Sequence, residues 1–177
     1  MTVYVALLHS IVLAPGRRVV MSELRAMAEG LGFRDARALV STGNLVFEAQ
    51  REPVAVIEAQ LEEGFRARYG KHVDIIVRDA PGWLALAAGN PFPPVNDAEA
   101  QNIVVRVMRS PLSSDMPANI QRGGGEQVAV VNGDLWIRFP GKPSESKLLS
   151  ALTTKRLGPG TFRNWNTVRG LTDMIEA

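Results

Sequence analysis

Apolar residues along this chain follow two rhythms: short β-branched or alternating runs that suit strands, and recurrences every third or fourth position that suit helices. "TVYVALL" (Thr2–Leu8) is of the first kind and predicts a strand. After the Pro15–Gly16 break, Leu24, Met27, Ala28 and Leu31 recur at helical spacing, with Ser22 as the expected cap and Gly32 as the stop. "RALVSTGNLVFEA" reads as two strands about a tight Thr42-Gly43-Asn44 turn, where Gly and Asn supply the positive φ of a hairpin. Pro53 then suits a first helical position. Val54, Ile57, Leu61, Phe65 and Tyr69 form the buried stripe of that helix, with Glu62–Arg66 paired on its surface and Glu62–Glu63 on an exposed face. "KHVDIIVRD" closes the unit as a strand with Val73, Ile75 and Val77 on one face. The order β-α-β-β-α-β is that of a ferredoxin-like lobe, here residues 1–80.

The pattern then restarts. Asp79 caps a short helix over 81–88, "GNPFPPVND" interrupts, "NIVVRVMR" is a strand, and "QVAVVNGDLWIRF" is a hairpin about Asn132-Gly133. A short helical stretch near Ser114–Ile120 is limited by Pro117. Ser144 is the expected cap of a helix carrying Leu148, Leu149 and Leu152 and ending at Gly158, and a last helix starts at Asn164. Residues 81–177 thus predict a second, smaller α+β lobe resembling an incomplete ferredoxin-like unit without its last strand. The predicted class is α+β. Two spatial expectations follow. The first and second strands run parallel, which brings His9–Ser10 near Thr42-Gly43-Asn44. Val3, Val5 and Leu7 are as apolar as Tyr4, Ala6 and Leu8, so neither face of the first strand suits water. That calls for cover from the second lobe or a partner subunit, and leaves a homo-oligomer open.

Composition removes several classes. Without cysteine there are no disulfides, thiolate metal sites or Cys nucleophiles. The N-terminus lacks a basic n-region and its apolar run is too short for a membrane span, so the expectation is a cytoplasmic protein with no membrane partner. The formal charge is only +2, but Arg138, Lys142, Lys147, Lys155, Arg156 and Arg163 face Glu145 alone between Trp136 and Arg163. Such a local excess attracts anions or forms a solvated face.

Catalytic constellations are scarce. The two histidines, His9 and His72, have no carboxylate at helix-facing spacing and no HExxH pattern. No Walker loop, GxSxG elbow or strand–GxGxxG–helix unit occurs, so no cofactor is expected. "RGGGEQ" (Arg122–Gln127) precedes a strand and reads as a flexible connector. No carboxylate cluster suggests a metal. Nucleic-acid binding through the sheet is disfavoured because "NLVFEA" and "VDIIVRD" lack an RNP1-like aromatic pattern; the basic C-terminal segment leaves it open. What stands out is two helix starts, "PSESKLL" and "TFRNWNTV". Each offers free amides and a positive dipole end, with Lys147 or Arg163 beside it. Together with Asn44, the residues Lys147, Arg163, Asn164, Trp165 and Asn166 are the candidate site for a small anionic, phosphate- or nucleotide-like ligand. The bland alternative is a capped helix with Trp165 packed inside.

Several of these segments also carry a resemblance. "VYVALLHSIVLAPGRRVVMSELRAMAEGLGFRDARALVSTGNLVFEA", "NPF" at Asn90–Phe92, "SKLL" at Ser146–Leu149 and "TFRNWNTVRGL" together resemble domain-of-unknown-function family 1697 over essentially the whole chain. The resemblance implies an α+β fold with a ferredoxin-like part and no established activity. The family's first loop resembles Leu-Arg-Gly-Ile-Asn and its turn Ser-Gly-Asn. Here those positions hold Leu8, His9, Ser10, Ile11 and Val12, and Thr42, Gly43 and Asn44. Asn44, Lys147, Arg163, Asn164, Trp165 and Asn166 fit the pattern. His9, Ser10 and Val12 depart from it, so a family role for the loop arginine is either lost here or taken by His9.

Overall fold

The computed structural model describes residues 1–39, 42–120 and 123–177. Val40 and Ser41 of the predicted hairpin, and Gln121 and Arg122 at the glycine-rich connector, lie outside the described residues. The chain has a mixed α+β fold and divides into two compact units, residues 1–84 with 170–177, and residues 85–169. Among the described residues no helix is long and apolar enough to cross a membrane.

In the first unit, β1 (Thr2–Leu8) leads to a small hairpin, β2 (Val12–Ala14) and β3 (Arg17–Arg18), then to α1 (Met21–Gly30), β4 (Arg34–Leu39), β5 (Asn44–Ala49), α2 (Val54–Tyr69) and β6 (Ile75–Asp79). The four long strands lie in the order β4-β5-β1-β6, with antiparallel neighbours throughout. Leu24, Met27 and Ala28 of α1 and Ile57, Leu61 and Phe65 of α2 share one core with Tyr4, Ala6, Leu8, Leu45, Phe47, Ile75 and Val77. Val5 and Leu7, on the other face of β1, are also buried. Both faces of β1 from Tyr4 to Leu8 are therefore withdrawn from solvent, as their apolar pattern requires. At the end of β1, the Leu8 amide donates to the Gly43 carbonyl at 2.9 Å, so the first loop and the β4–β5 turn do meet.

Two details of the helices differ from their sequence pattern. Ser22 does not cap α1: it lies inside the helix, whose N-cap is Val20 without a side-chain bond. Pro53 is the N-cap of α2 rather than its first helical residue, because its ψ of 143° is still extended. Val54 is exposed, and Glu58 takes its expected place in the buried stripe. Nor is Glu62 on an open face; it is half-buried.

Glu58 and Glu62 explain each other. They sit four apart on α2 and accept from the amides of Val77 (2.9 Å) and Ile75 (3.0 Å), two apart on β6. A helical i,i+4 step advances about 6 Å and two strand residues about 6.8 Å, so the spacings match. Because β6 is an edge strand, these carboxylates occupy edge donors that would otherwise template further pairing. Glu58→Ala is expected to cost about 1–3 kcal/mol by stranding the Val77 amide. Hydrogen exchange at Val77 should speed up, while Glu58→Gln, which keeps an acceptor, should restore most protection. An unchanged urea midpoint for Glu58→Ala would refute the edge-capping role.

The second unit begins inside α3 (Ala80–Ala88), whose first turn is capped by Asp79 through the Gly82 amide at 2.8 Å. There follow α4 (Asp97–Ala100), β7 (Ile103–Met108), a 3₁₀ turn (Met116–Asn119), β8 (Gln127–Val131) and β9 (Asp134–Arg138). A second 3₁₀ turn (Pro143–Glu145) precedes α5 (Leu148–Ala151), α6 (Thr154–Leu157), β10 (Gly160–Asn164) and α7 (Trp165–Glu176). The sheet order is β10-β7-β9-β8. Its last strand is present, which corrects the expectation of an incomplete unit: Gly160–Asn164 pairs antiparallel with Val104–Met108 instead of merely leading into the final helix. The continuous helix expected from Ser144 to Gly158 is also absent. Ser144 lies in the 3₁₀ turn, and a break at Leu152–Thr153 separates α5 from α6, where Thr153 Oγ1 accepts from the Arg156 amide at 3.3 Å. Leu148 and Leu152 still reach the core, beside Val104, Ile120, Leu135, Ile137 and Phe139.

Candidate functional site

The "TFRNWNT" segment is a strand that turns directly into a helix. On β10, alternate positions Thr161 and Arg163 are buried, while Phe162 and Asn164 are half-buried. The Arg163 guanidinium donates through Nη1 to Thr161 Oγ1 (2.7 Å) and to the Phe162 carbonyl (2.8 Å). Burial disfavours its charged form and lowers its pKa from the ordinary guanidinium range to about 10. Asn164 Oδ1 accepts from the Thr167 amide at 3.0 Å, as an N-cap does. Trp165 packs its ring against Trp136 with centroids 6.0 Å apart. Asn166 is exposed and accepts from Arg169 Nη2 at 2.6 Å. Each polar residue of the motif thus has its own local partner.

Arg163 and Asn164 also line a cleft of about 410 Å³ together with Gln101, Asn102, Lys142 and Ser144. Lys142 and Ser144 are exposed, so the cleft brings the buried Arg163 together with an ammonium, three amide side chains and a hydroxyl. Lys147 is not part of it. That residue lines a separate cleft of about 980 Å³ with Glu126, Glu145, Ser146 and Arg156. There Glu126 accepts from the Gly124 amide (2.9 Å) and from Ser146 Oγ (2.7 Å), which gives the glycine-rich connector a fixed anchor. Mixed charge and a four-residue α5 leave no helix-dipole site at Lys147.

Asn44 belongs to the first unit, where it is fully buried. Its Nδ2 donates to the Leu39 carbonyl (3.1 Å) and Thr42 Oγ1 (2.7 Å), which holds the β4–β5 turn. Of the basic residues noted in sequence, Arg138 pairs with Glu99, Arg156 donates to the Asn119 carbonyl, and Arg163 is buried. In the departing first loop, Ser10 Oγ accepts from the Val12 amide at 3.1 Å and the His9 amide donates to the Asp74 carbonyl at 2.9 Å.

Sequence reasoning passed over two groups. Gln101, Asn102 and Lys142 carry no motif and meet Arg163 only through the sheet. The other group is Glu62, His72 and Asp74, whose donor atoms lie within 4.8 Å of one another. His72 and Asp74 are two residues apart, and a search at helix-facing spacing does not register them.

Comparison with other proteins adds the fold and the lineage. A solved structure of a conserved bacterial protein from Streptococcus pneumoniae is similar over 100% of this chain and 99% of its own, with TM-score 0.77 and 20% identity. At that identity the likeness concerns the fold alone. Among proteins of curated function none matches the chain. The family model described as "Protein of unknown function (DUF1697)" matches residues 1–136, and the chain belongs to that family.

Proposed function

We propose that the chain binds a small anionic ligand, phosphate- or nucleotide-like, at the cleft that Arg163 lines in the second unit. The observation that carries this reading is that the buried Arg163 lines a cleft that also holds Lys142, Asn102 and Ser144. Lowering its pKa to about 10 corresponds to a cost of about 3 kcal/mol for the charged form. An anion in the cleft would offset that cost and take charge-assisted bonds from Arg163 and Lys142. Its volume, about 410 Å³, suits a small metabolite. Asn164 contributes at the rim, while Lys147, Trp165, Asn166 and Asn44 act outside the cleft in this reading. The scaffold we infer is two ferredoxin-like sheets; in support, both place their first strand between the third and the last.

Thermal shift and calorimetry with inorganic phosphate, pyrophosphate and mononucleotides test the reading. At about 100 times its dissociation constant a ligand adds about 2.7 kcal/mol of stability. Arg163→Met keeps the apolar stem and removes the charge. It is expected to abolish the ligand-induced shift; in the free protein, relief of the buried charge is opposed by loss of its bonds to Thr161 Oγ1 and the Phe162 carbonyl. At pH 7, below both the folded and the unfolded pKa, the burial cost of the charge is fully present; it fades only as pH rises through about 10 toward the ordinary guanidinium range. Equal shifts in wild type and Arg163→Met would rule out this cleft.

A further inference from the structure

The first unit holds donor groups that the anion cleft does not use. Between α2 and β6 lie His72 and Asp74, two residues apart, and their side chains meet. His72 Nε2 lies 2.9 Å from Asp74 Oδ1. Glu62 reaches the same point from α2, steered by the bond its Oε2 accepts from the Ile75 amide at 3.0 Å. One nitrogen and two carboxylate oxygens, one from each residue, then lie within 4.8 Å of one another. Beside them is a cavity of about 220 Å³ lined by His9, Ser10, Phe65, Lys71, His72 and Asp74. The chain contains only two histidines, 63 positions apart, and both line this cavity.

We propose that Glu62, His72 and Asp74 form a binding site for a divalent first-row transition ion of the zinc type. The donor spacing is suitable. Tetrahedral bonds of about 2.1 Å put N and O donors about 3.4 Å apart, and the three donor atoms here, within 4.8 Å of one another with His72 and Asp74 at 2.9 Å, need only a small side-chain adjustment to reach that spacing. Backbone groups fix the ligands as metal sites require: the Ile75 amide holds Glu62, and the Asp74 carbonyl accepts from the His9 amide at 2.9 Å. Lys71 Nζ is occupied at the Val12 carbonyl, 3.1 Å away. An imidazole with two carboxylates favours zinc, nickel or cobalt over magnesium or calcium, which demand six or more oxygens.

The test is calorimetric titration of the full, chelator-treated chain with zinc chloride and with magnesium chloride, paired with NMR of the two imidazoles. Zinc is expected to bind at one equivalent and to shift the His72 ring resonances; magnesium is expected not to bind. His72→Ala and Asp74→Asn should each weaken zinc binding by at least about tenfold, by analogy with ligand-shell losses. The His72 side chain is 59% exposed, so its removal leaves the fold intact, and circular dichroism verifies this. His9→Ala is expected to leave the affinity unchanged. Absence of zinc binding overturns the proposal, as does binding undiminished in His72→Ala. So do equal losses in His9→Ala and His72→Ala, which adventitious imidazole binding would give.

Discussion

Trp136→Ala is expected to destabilise the protein by about 3–5 kcal/mol, as truncation of a buried indole does. Trp136 is 1% exposed at the centre of β9, flanked in register by Val105 of β7 and Ala129 of β8. Strand alternation turns it away from Leu135 and Ile137, which belong to the other core face, and toward the start of α7. Its ring meets Trp165 at 6.0 Å and 56°, a tilted pair worth about 0.5–1.5 kcal/mol beyond its buried area. Truncation removes the buried indole and leaves Trp165 without its aromatic neighbour. For a chain of this size, each kcal/mol lowers the melting temperature by about 2–4 °C, so a fall of roughly 10 °C is expected. Trp136→Phe, which keeps a ring in the pair, should cost far less. A loss below about 1 kcal/mol for the alanine variant would contradict the burial and pairing described here.

That same tryptophan shows what was legible from sequence. The Asn132-Gly133 turn and the β-branched runs on either side specify β8 and β9 locally, and Asp79, Gly32 and Asn164 bound helices by local chemistry as well. Strand β10 is different. "GTFRN" has one large apolar residue and reads as the approach to a helix; what makes it a strand is pairing with β7, more than fifty residues earlier. Leu148, Leu149 and Leu152 carry helical spacing, but Pro143 and the Thr153–Thr154 pair cut the segment into short turns. Glu58 breaks the apolar stripe of α2 because an edge strand needs an acceptor, a requirement set by tertiary structure alone.

The candidate site was legible only in part for a related reason. Residue type identifies donors, but the fold decides which of them meet. Lys147 and Arg163 are both basic and close in sequence, yet they line different clefts. Asn44, chosen as a family-pattern position, spends its amide on the turn that contains it. Lys142 and Asn102 join Arg163 because β7 and β10 are neighbours, and neither carries a motif. His72 and Asp74, two residues apart in sequence, carry no motif that separates them from background, and Glu62 needed the α2–β6 packing to complete the group.

Gly133→Ala should be nearly as damaging as loss of the indole, for reasons of backbone and space together. Asn132 and Gly133 have φ of 51° and 87°, the pair of positive values that lets a two-residue turn follow the twist of its strands. A β-carbon on residue 133 disfavours that conformation by about 1–2 kcal/mol. It would also stand 2.5 Å from Pro111 Cβ and 2.7 Å from Pro111 Cα, contacts that no real side chain makes. The loop cannot simply retreat, because the Leu112 amide is bonded to the Gly133 carbonyl at 2.9 Å. Overpacking of this kind adds about 1–3 kcal/mol, for a total of about 2–5 kcal/mol. Gly70→Ala separates the two contributions: Gly70 has φ of 70° at the end of α2, but nothing lies within 4 Å of its would-be β-carbon. It should therefore show the backbone cost alone. Urea unfolding of both variants decides the matter: a clearly larger loss for Gly133→Ala supports the clash with Pro111, and equal losses would mean that the 111–112 segment yields to the new methyl group.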